Sequence, residues 1–137
     1  MTNQTRKAAE RSTTFRGLVE RIDASDGIVY VESRECGHGV RACLVGVRAA
    51  GSNRIVGIKI DPQKRDWDLT GSIGHELRHA VEILDHPTVT SDDAMYLLYD
   101  RIGRRRERSA FETQEAVEAG VAVRAEGRRS MRAAQER

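Results

Sequence analysis

The stretch of sequence that decides the fold is residues 69–84, LTGSIGHELRHAVEIL. Its apolar residues recur three and four positions apart, which is the spacing of one face of an α-helix and not that of a strand. Pro87 follows soon after the last apolar residue and marks the end of the run. The pattern therefore predicts one long helix with an apolar face, against which the rest of a small domain packs.

This helix carries the motif HExxH, formed by His75, Glu76 and His79. Residues four positions apart lie on the same face of a helix, so both imidazoles can bind one metal ion. Glu76 lies about 100° round the helix from His75, where its carboxylate reaches the water that the metal activates. Zinc lowers the pKa of such a water towards ~7. The motif predicts one Zn²⁺ ion with His75 and His79 as ligands and Glu76 as the catalytic base.

The third ligand of a catalytic zinc site has to come from another part of the chain. Residues 110–126 are predicted to form the last helix, with three carboxylates near its start. On a helical wheel Glu112 falls on the same small, apolar face as Ala116, where a carboxylate would be costly to bury without a cation. Glu112 is therefore the preferred ligand, although a charge at a helix N-terminus is another role for it. Glu115, about 60° away, is the alternative third ligand.

Length and composition predict one domain. The chain has 137 residues, of which 39% are apolar and only 4% aromatic, so a modest aliphatic core is expected. We place the domain at 11–126. The polar residues 1–10 are predicted to be disordered or frayed, and residues 127–137 to form a polar tail.

The hydrophobic pattern predicts an α+β fold. A helix is expected over 11–23, before the sheet, and another over about 92–102, after the motif helix. Three runs are typical of strands, at 28–31, 40–47 and 54–60. Because turn residues separate these runs, we expect a small three-stranded antiparallel sheet.

The net charge indicates which partners to expect, and the cysteines and the lack of a visible signal segment indicate the compartment. The 23 basic and 21 acidic residues give a net charge of +2, without the basic excess of a nucleic-acid binder, so nucleic acid is not expected as a partner. No run approaches the roughly 18 apolar residues of a membrane span, and no signal segment is visible, so a cytoplasmic location is predicted. Cys36 and Cys43 are either reduced or paired. A disulfide, together with a true N-terminus further upstream, would indicate export instead.

These features resemble the gluzincin metallopeptidases, a group of zincins in which an HExxH helix is followed by a ligand glutamate on a later helix. The matching stretches are HELRHAVE at 75–82 and FET at 111–113, which are similar to the HELxHAxE and FET stretches of short bacterial members. The resemblance covers about residues 27–126. It implies a zinc-dependent endopeptidase that acts on a peptide or protein substrate, with His75 and His79 as ligands and Glu76 as general base.

The resemblance also has implications for the substrate and for the surroundings of the metal. It implies that the strand before the motif helix, at about 54–60, is a sheet edge that holds the substrate in extended form. Gluzincins often carry an Asp four residues after the ligand Glu, to orient a histidine, and this chain has Ala116 there. The candidates for stabilising the oxyanion are Tyr96, Tyr99 and Arg78. The alternative to a peptidase is a non-catalytic, zinc-stabilised domain that binds another protein.

Overall fold

The computed structural model describes residues 3–37, 39–61, 66–106 and 110–136. Five helices lie within these ranges: α1 (Asn3–Arg11), α2 (Thr13–Asp23), α3 (Trp67–Leu84), α4 (Asp92–Ile102) and α5 (Gln114–Gln135). The strands there are β1 (Gly27–Ser33), β2 (Ala42–Ala50), β3 (Asn53–Ile60), β4 (Arg104–Arg106) and β5 (Ala110–Glu112). The predicted α+β class is confirmed. In the described ranges, every helix is too short or too polar to span a bilayer.

The first three strands form one mixed sheet in the order β1-β3-β2. β2 and β3 pair antiparallel across a tight turn at Gly51, whose φ of 62° suits glycine. β1 pairs with β3 in parallel, with Gly27 opposite Arg54. The prediction of an antiparallel sheet is therefore wrong for β1. The chain from 34 to 52, which includes β2, is long enough for the crossover that a parallel pair requires, and strand-like runs alone do not show which strands become neighbours.

α3 packs against α2, α5 and the sheet, and its contact with α5 is close. A Cβ on Gly71 of α3 would lie 3.0 Å from the backbone oxygen of Gly120 of α5. A Cβ on Gly74 would lie 2.8 Å from Cγ2 of Val123. Larger residues at these positions would push the two helices apart. The glycines therefore set the distance between the HExxH helix and the helix that follows Glu112.

Helices form the first and the last element of the chain that the structure describes. α1 covers most of the segment 1–10 that was expected to be disordered or frayed, and its Ala8 is buried in the core. The expected polar tail is the last part of α5. The carboxylate of Glu126 accepts hydrogen bonds from the Thr14 amide at 2.8 Å and from the Ser12 hydroxyl at 2.9 Å. α5 thus satisfies backbone and side-chain donors at the start of α2, a pairing that composition does not reveal.

A buried arginine on β3 holds the C-terminal end of α3. The side chain of Arg54 is only 4% exposed, and its guanidinium binds both carboxylate oxygens of Asp26 at 2.8 Å. The same guanidinium donates to four backbone carbonyls, those of Ile83, Leu84, His86 and Val89. Carbonyls at a helix C-terminus lack partners within the helix, and a cation there also interacts favourably with the helix dipole. The hydrogen bonds from Arg54 lower the pKa of Asp26 below its ordinary value.

We expect Arg54→Met to destabilise the protein by about 3–5 kcal/mol, because the substitution leaves buried carbonyls without a donor. The free energy of unfolding would be measured by urea denaturation followed by circular dichroism. Arg48→Met is the matched control, since Arg48 is exposed on β2, and should change the free energy of unfolding by less than about 0.5 kcal/mol. Equal effects of the two substitutions would contradict this role of Arg54.

Candidate metal centre

Two histidines of α3 and one glutamate of β5 bring their side chains together. His75 and His79 lie one turn apart on α3, as the motif predicts. Nε2 of His75 is 2.6 Å from Oε1 of Glu112, and Nε2 of His79 is 3.5 Å from the same oxygen. One possible ligand atom from each residue lies within 4.8 Å of the other two. Two imidazoles and a carboxylate are a donor set that a three-ligand metal site uses.

The Glu112 oxygen in this cluster is better suited to a cation than to a hydrogen bond. Oε1 is buried, yet it accepts no hydrogen bond of good geometry from any described residue, despite the short approach of His75. A buried carboxylate oxygen without a donor is unfavourable. Ligand atoms of one tetrahedral zinc ion lie roughly 3.3 Å apart, so small side-chain adjustments would let these three donors share an ion.

Glu112 reaches the cluster from the end of a strand and not from a helix. Residues 110–112 form β5, which pairs antiparallel with β4. α5 begins only at Gln114, and its N-cap is Thr113, whose hydroxyl accepts a hydrogen bond from the Ala116 amide at 3.2 Å. The predicted start of the last helix at 110 is wrong, because β5 occupies its first three positions. The helical-wheel reason for choosing Glu112 fails with it, since Glu112 and Ala116 do not share a helix.

Glu115 and Arg78 line a groove that also involves α2, away from the histidine–glutamate cluster. Glu115, the alternative third ligand, is exposed on the first turn of α5. Arg78 lies on a different face of α3 from the histidines, and its Nε is 3.9 Å from Oε2 of Glu82. The structure therefore brings neither the alternative ligand nor this oxyanion candidate to the metal donors.

Tyr96 and Tyr99 both lie on α4 but have different surroundings. Tyr96 is half-exposed, and its ring centroid is 5.4 Å from that of Phe111. Tyr99 is buried, and its hydroxyl donates hydrogen bonds to the backbone oxygen of His79 at 2.9 Å and to Glu82 at 3.2 Å. Burial and the charge of Glu82 raise the pKa of Tyr99 well above its ordinary value. Tyr99 thus positions α3, which leaves Tyr96 as the oxyanion candidate.

Beside the candidate ligands, Glu82 is a buried carboxylate that the sequence patterns did not indicate. Its Oε1 lies 2.8 Å from Nδ1 of His79, and its Oε2 accepts a 2.6 Å hydrogen bond from the Thr113 hydroxyl. Burial raises the pKa of Glu82, but the hydrogen bonds from His79 and Thr113 outweigh burial and lower it below its ordinary value. A carboxylate on Nδ1 directs Nε2 of the same ring towards a metal. The available signal was a glutamate within the apolar run AVEIL at 80–84.

The carboxylates of the site have divergent pKa values. Burial raises the pKa of Glu76 to about 7, against the opposing effect of the two histidines. Burial also raises the pKa of Glu112, but contacts with His75 and His79 prevail and bring it to about 2. For His79, burial lowers the pKa, and its contacts with Glu112 and Glu82 outweigh this and raise it to about 9. Glu112 is thus ionised at neutral pH, while Glu76 titrates near neutral pH. Two carboxylates with such different pKa values are typical of sites for general acid–base catalysis.

A cavity of about 330 Å³ opens beside the cluster and is lined by all three metal donors and by Glu76. Residues 40–44, which comprise the first residues of β2 and the two that precede it, also line the cavity. β2 is at the edge of the sheet, since β3 lies between β1 and β2. The prediction that 54–60 is the edge strand is therefore wrong. That segment is β3, which pairs on both sides, and the edge next to the cavity is β2.

A disulfide lies at the rim of this cavity. Cys36 and Cys43 are paired, with their Cα atoms 6.0 Å apart, and Cys43 is among the residues that line the cavity. The bridge ties the loop after β1 to the start of β2. It therefore fixes the chain on the sheet side of the cavity. The compartment in which the protein works stays a prediction.

Comparisons with protein families, curated proteins and solved structures find no match. The gluzincin resemblance therefore stays a prediction carried by residues 75–82 and 111–113. The chemistry of the site follows from the positions of its own side chains.

We expect Glu82→Gln to weaken the affinity for Zn²⁺ about 10–100-fold, because His79 loses the carboxylate that orients its ring. Affinity would be measured by competition with a chromophoric chelator on protein whose circular dichroism is unchanged. Glu118→Gln, at an exposed position of α5, is the control and should bind like the unmodified chain. Equal affinities of both variants would show that Glu82 does not act through His79.

Proposed function

We propose that this chain is a zinc-dependent peptidase of the gluzincin type, which hydrolyses amide bonds in peptides or proteins. One observation carries the proposal. His75, His79 and Glu112 converge on the wall of a cavity that Glu76 also lines. Two imidazoles and a carboxylate are ligands typical of catalytic zinc, and a neighbouring carboxylate is the general base that amide hydrolysis requires.

Each side chain has a distinct role in this proposal. His75, His79 and Glu112 would hold the ion, which when bound polarises the scissile carbonyl and makes water more acidic. The Glu76 carboxylate accepts a proton from the attacking water and then donates it to the nitrogen of the leaving amine. A pKa of about 7 suits both transfers, since the group can exist in either protonation state near neutral pH. Glu82 keeps the His79 ring oriented throughout.

The substrate would bind along the edge of β2. In the described part of the chain β2 pairs as a strand only with β3. On its other side the Val47 amide donates a hydrogen bond to the Asp92 carboxylate, so an extended peptide would pair with the stretch of β2 that precedes Val47. Residues 40–44 line the cavity, which places this edge beside Glu76 and the metal donors. Addition of a peptide as an extra strand supplies backbone hydrogen bonds without demanding a particular side chain. The disulfide at Cys43 holds this edge in place.

We expect about one zinc ion per chain in protein purified without added metal and without a histidine tag, as measured by elemental mass spectrometry. Glu112→Ala should lose the ion during dialysis against a mild chelator, because only two ligands remain. Glu115→Ala should retain it, since the Glu115 side chain lies in another groove. A zinc content near zero after Zn²⁺ is offered, or equal loss in both variants, would contradict the ligand set.

We expect Glu76→Gln to retain zinc and to lower hydrolysis of a mixed peptide library about 10²–10⁴-fold, because the amide cannot accept the proton of water. Cleavage would be followed by mass spectrometry, with Glu118→Gln as a control that cleaves at the unmodified rate. Equal cleavage before and after the Glu76 change would refute the mechanism. Zinc binding without cleavage by either form would instead favour the non-catalytic, zinc-stabilised interaction domain.

A further inference from the structure

Two arginine side chains line the cavity, and they differ in their partners. Arg41, on the sheet side, forms an ion pair with Asp66 at 3.0 Å. Arg124, on α5, makes no hydrogen bond or ion pair with any residue that the structure describes. A guanidinium that stays charged and lines a cavity without an ion-pair partner among the described residues is suited to an anionic ligand. Arg124 is therefore a group in the cavity that the proposed catalytic chemistry leaves unused.

The close approach of α3 and α5 determines where the Arg124 side chain lies. A Cβ on Gly71 would lie 2.7 Å from Cγ and 2.8 Å from Nε of Arg124, so the side chain crosses α3 where a glycine leaves room for it. A Cβ on Gly120 would lie 3.3 Å from Cβ of His75 and 3.5 Å from Nη2 of Arg124. Position 120 of α5 thus lies next to both the Arg124 guanidinium and His75. Arg124 lies on the His75 side of the metal donors.

The His79 side of the same cavity is aromatic. The ring of Tyr99 lies 5.3 Å from that of His79 and 5.6 Å from that of Phe111, measured between centroids. Tyr96 packs on Phe111 and extends this wall. The two sides of the cavity therefore differ: a guanidinium lies beside His75, and aromatic rings lie beside His79.

We propose that Arg124 binds a carboxylate of the peptide substrate and so selects which peptides this site accepts. The inference rests on the proposed peptidase function. Arginine presents a planar fork of donors that pairs with both oxygens of a carboxylate. Peptides offer this group in two places, at the C-terminus and on Asp or Glu side chains. Glu112 already contacts the two histidines, so the partner proposed for Arg124 is a carboxylate of the substrate.

Binding and cleavage are tested separately, so that the two proposals can fail independently. The probes are alanine-based peptides in which one position at a time is Asp or Asn, each with a free or an amidated C-terminus. Their affinities for zinc-loaded Glu76→Gln protein are measured by isothermal titration calorimetry. We expect one carboxylate-bearing series to bind about tenfold more tightly than its amide counterpart. The Asp–Asn comparison reports a side-chain carboxylate, and the acid–amide comparison reports the C-terminus.

Adding Arg124→Gln to the Glu76→Gln protein should abolish the preference for carboxylate-bearing peptides. Zinc content and circular dichroism should not change. Arg128→Gln is the matched control, because Arg128 lies one turn further along α5 and pairs with the exposed Asp68 instead of lining the cavity. Equal binding of acid and amide peptides, or equal losses in the two arginine variants, would overturn the role of Arg124. Carboxylate-dependent binding without any cleavage by the unmodified protein would retain Arg124 as a ligand-binding residue and reject the peptidase function.

Discussion

Within the apolar part of α3, the carboxylate of Glu82 has to be satisfied by hydrogen bonds, because a buried charge without partners is strongly unfavourable. Its partners come from three segments: the ring of His79 in α3, the hydroxyl of Tyr99 in α4 and the hydroxyl of Thr113 at the start of α5. Thr113 directly follows Glu112. The contact that satisfies Glu82 therefore also places Glu112 beside the two histidines, and the geometry of the candidate metal centre depends on this one buried group.

α3 is held at other points along its length, so its two imidazoles project from a rigid element. Gly71 and Gly74 allow α3 to pack close to α5. The Arg54 guanidinium donates hydrogen bonds to the carbonyls at the C-terminal end of α3. A ligand set performs well when the element that carries it cannot shift. The same closeness to α5 brings Arg124 to the cavity. Helix packing thus determines both the position of the candidate ligands and the charge of the cavity beside them.

The edge strand illustrates how a local pattern differs from a spatial arrangement. The run at 54–60 is a strand, as its alternation predicts, but it lies in the centre of the sheet. Alternation reports that a segment is extended and half-buried, while pairing depends on where the chain crosses over. β2 occupies the edge because β1 pairs on the far side of β3. As a result, the cavity is bordered by β2 and by the disulfide at Cys43.

The sequence by itself determined the features that depend on near neighbours. These are the motif helix, the shared face of His75 and His79, and the α+β class, since each follows from hydrophobic spacing within a few turns. Glu112 was selected for a helical-wheel reason that the structure contradicts, and Glu82 was overlooked. Only the tertiary structure decided how these carboxylates are used, because Glu112 meets His75 and His79, and Glu82 meets Thr113, across 31 to 37 positions of the sequence. Sequence spacing carries no information on contacts between segments that approach only when the whole core has packed.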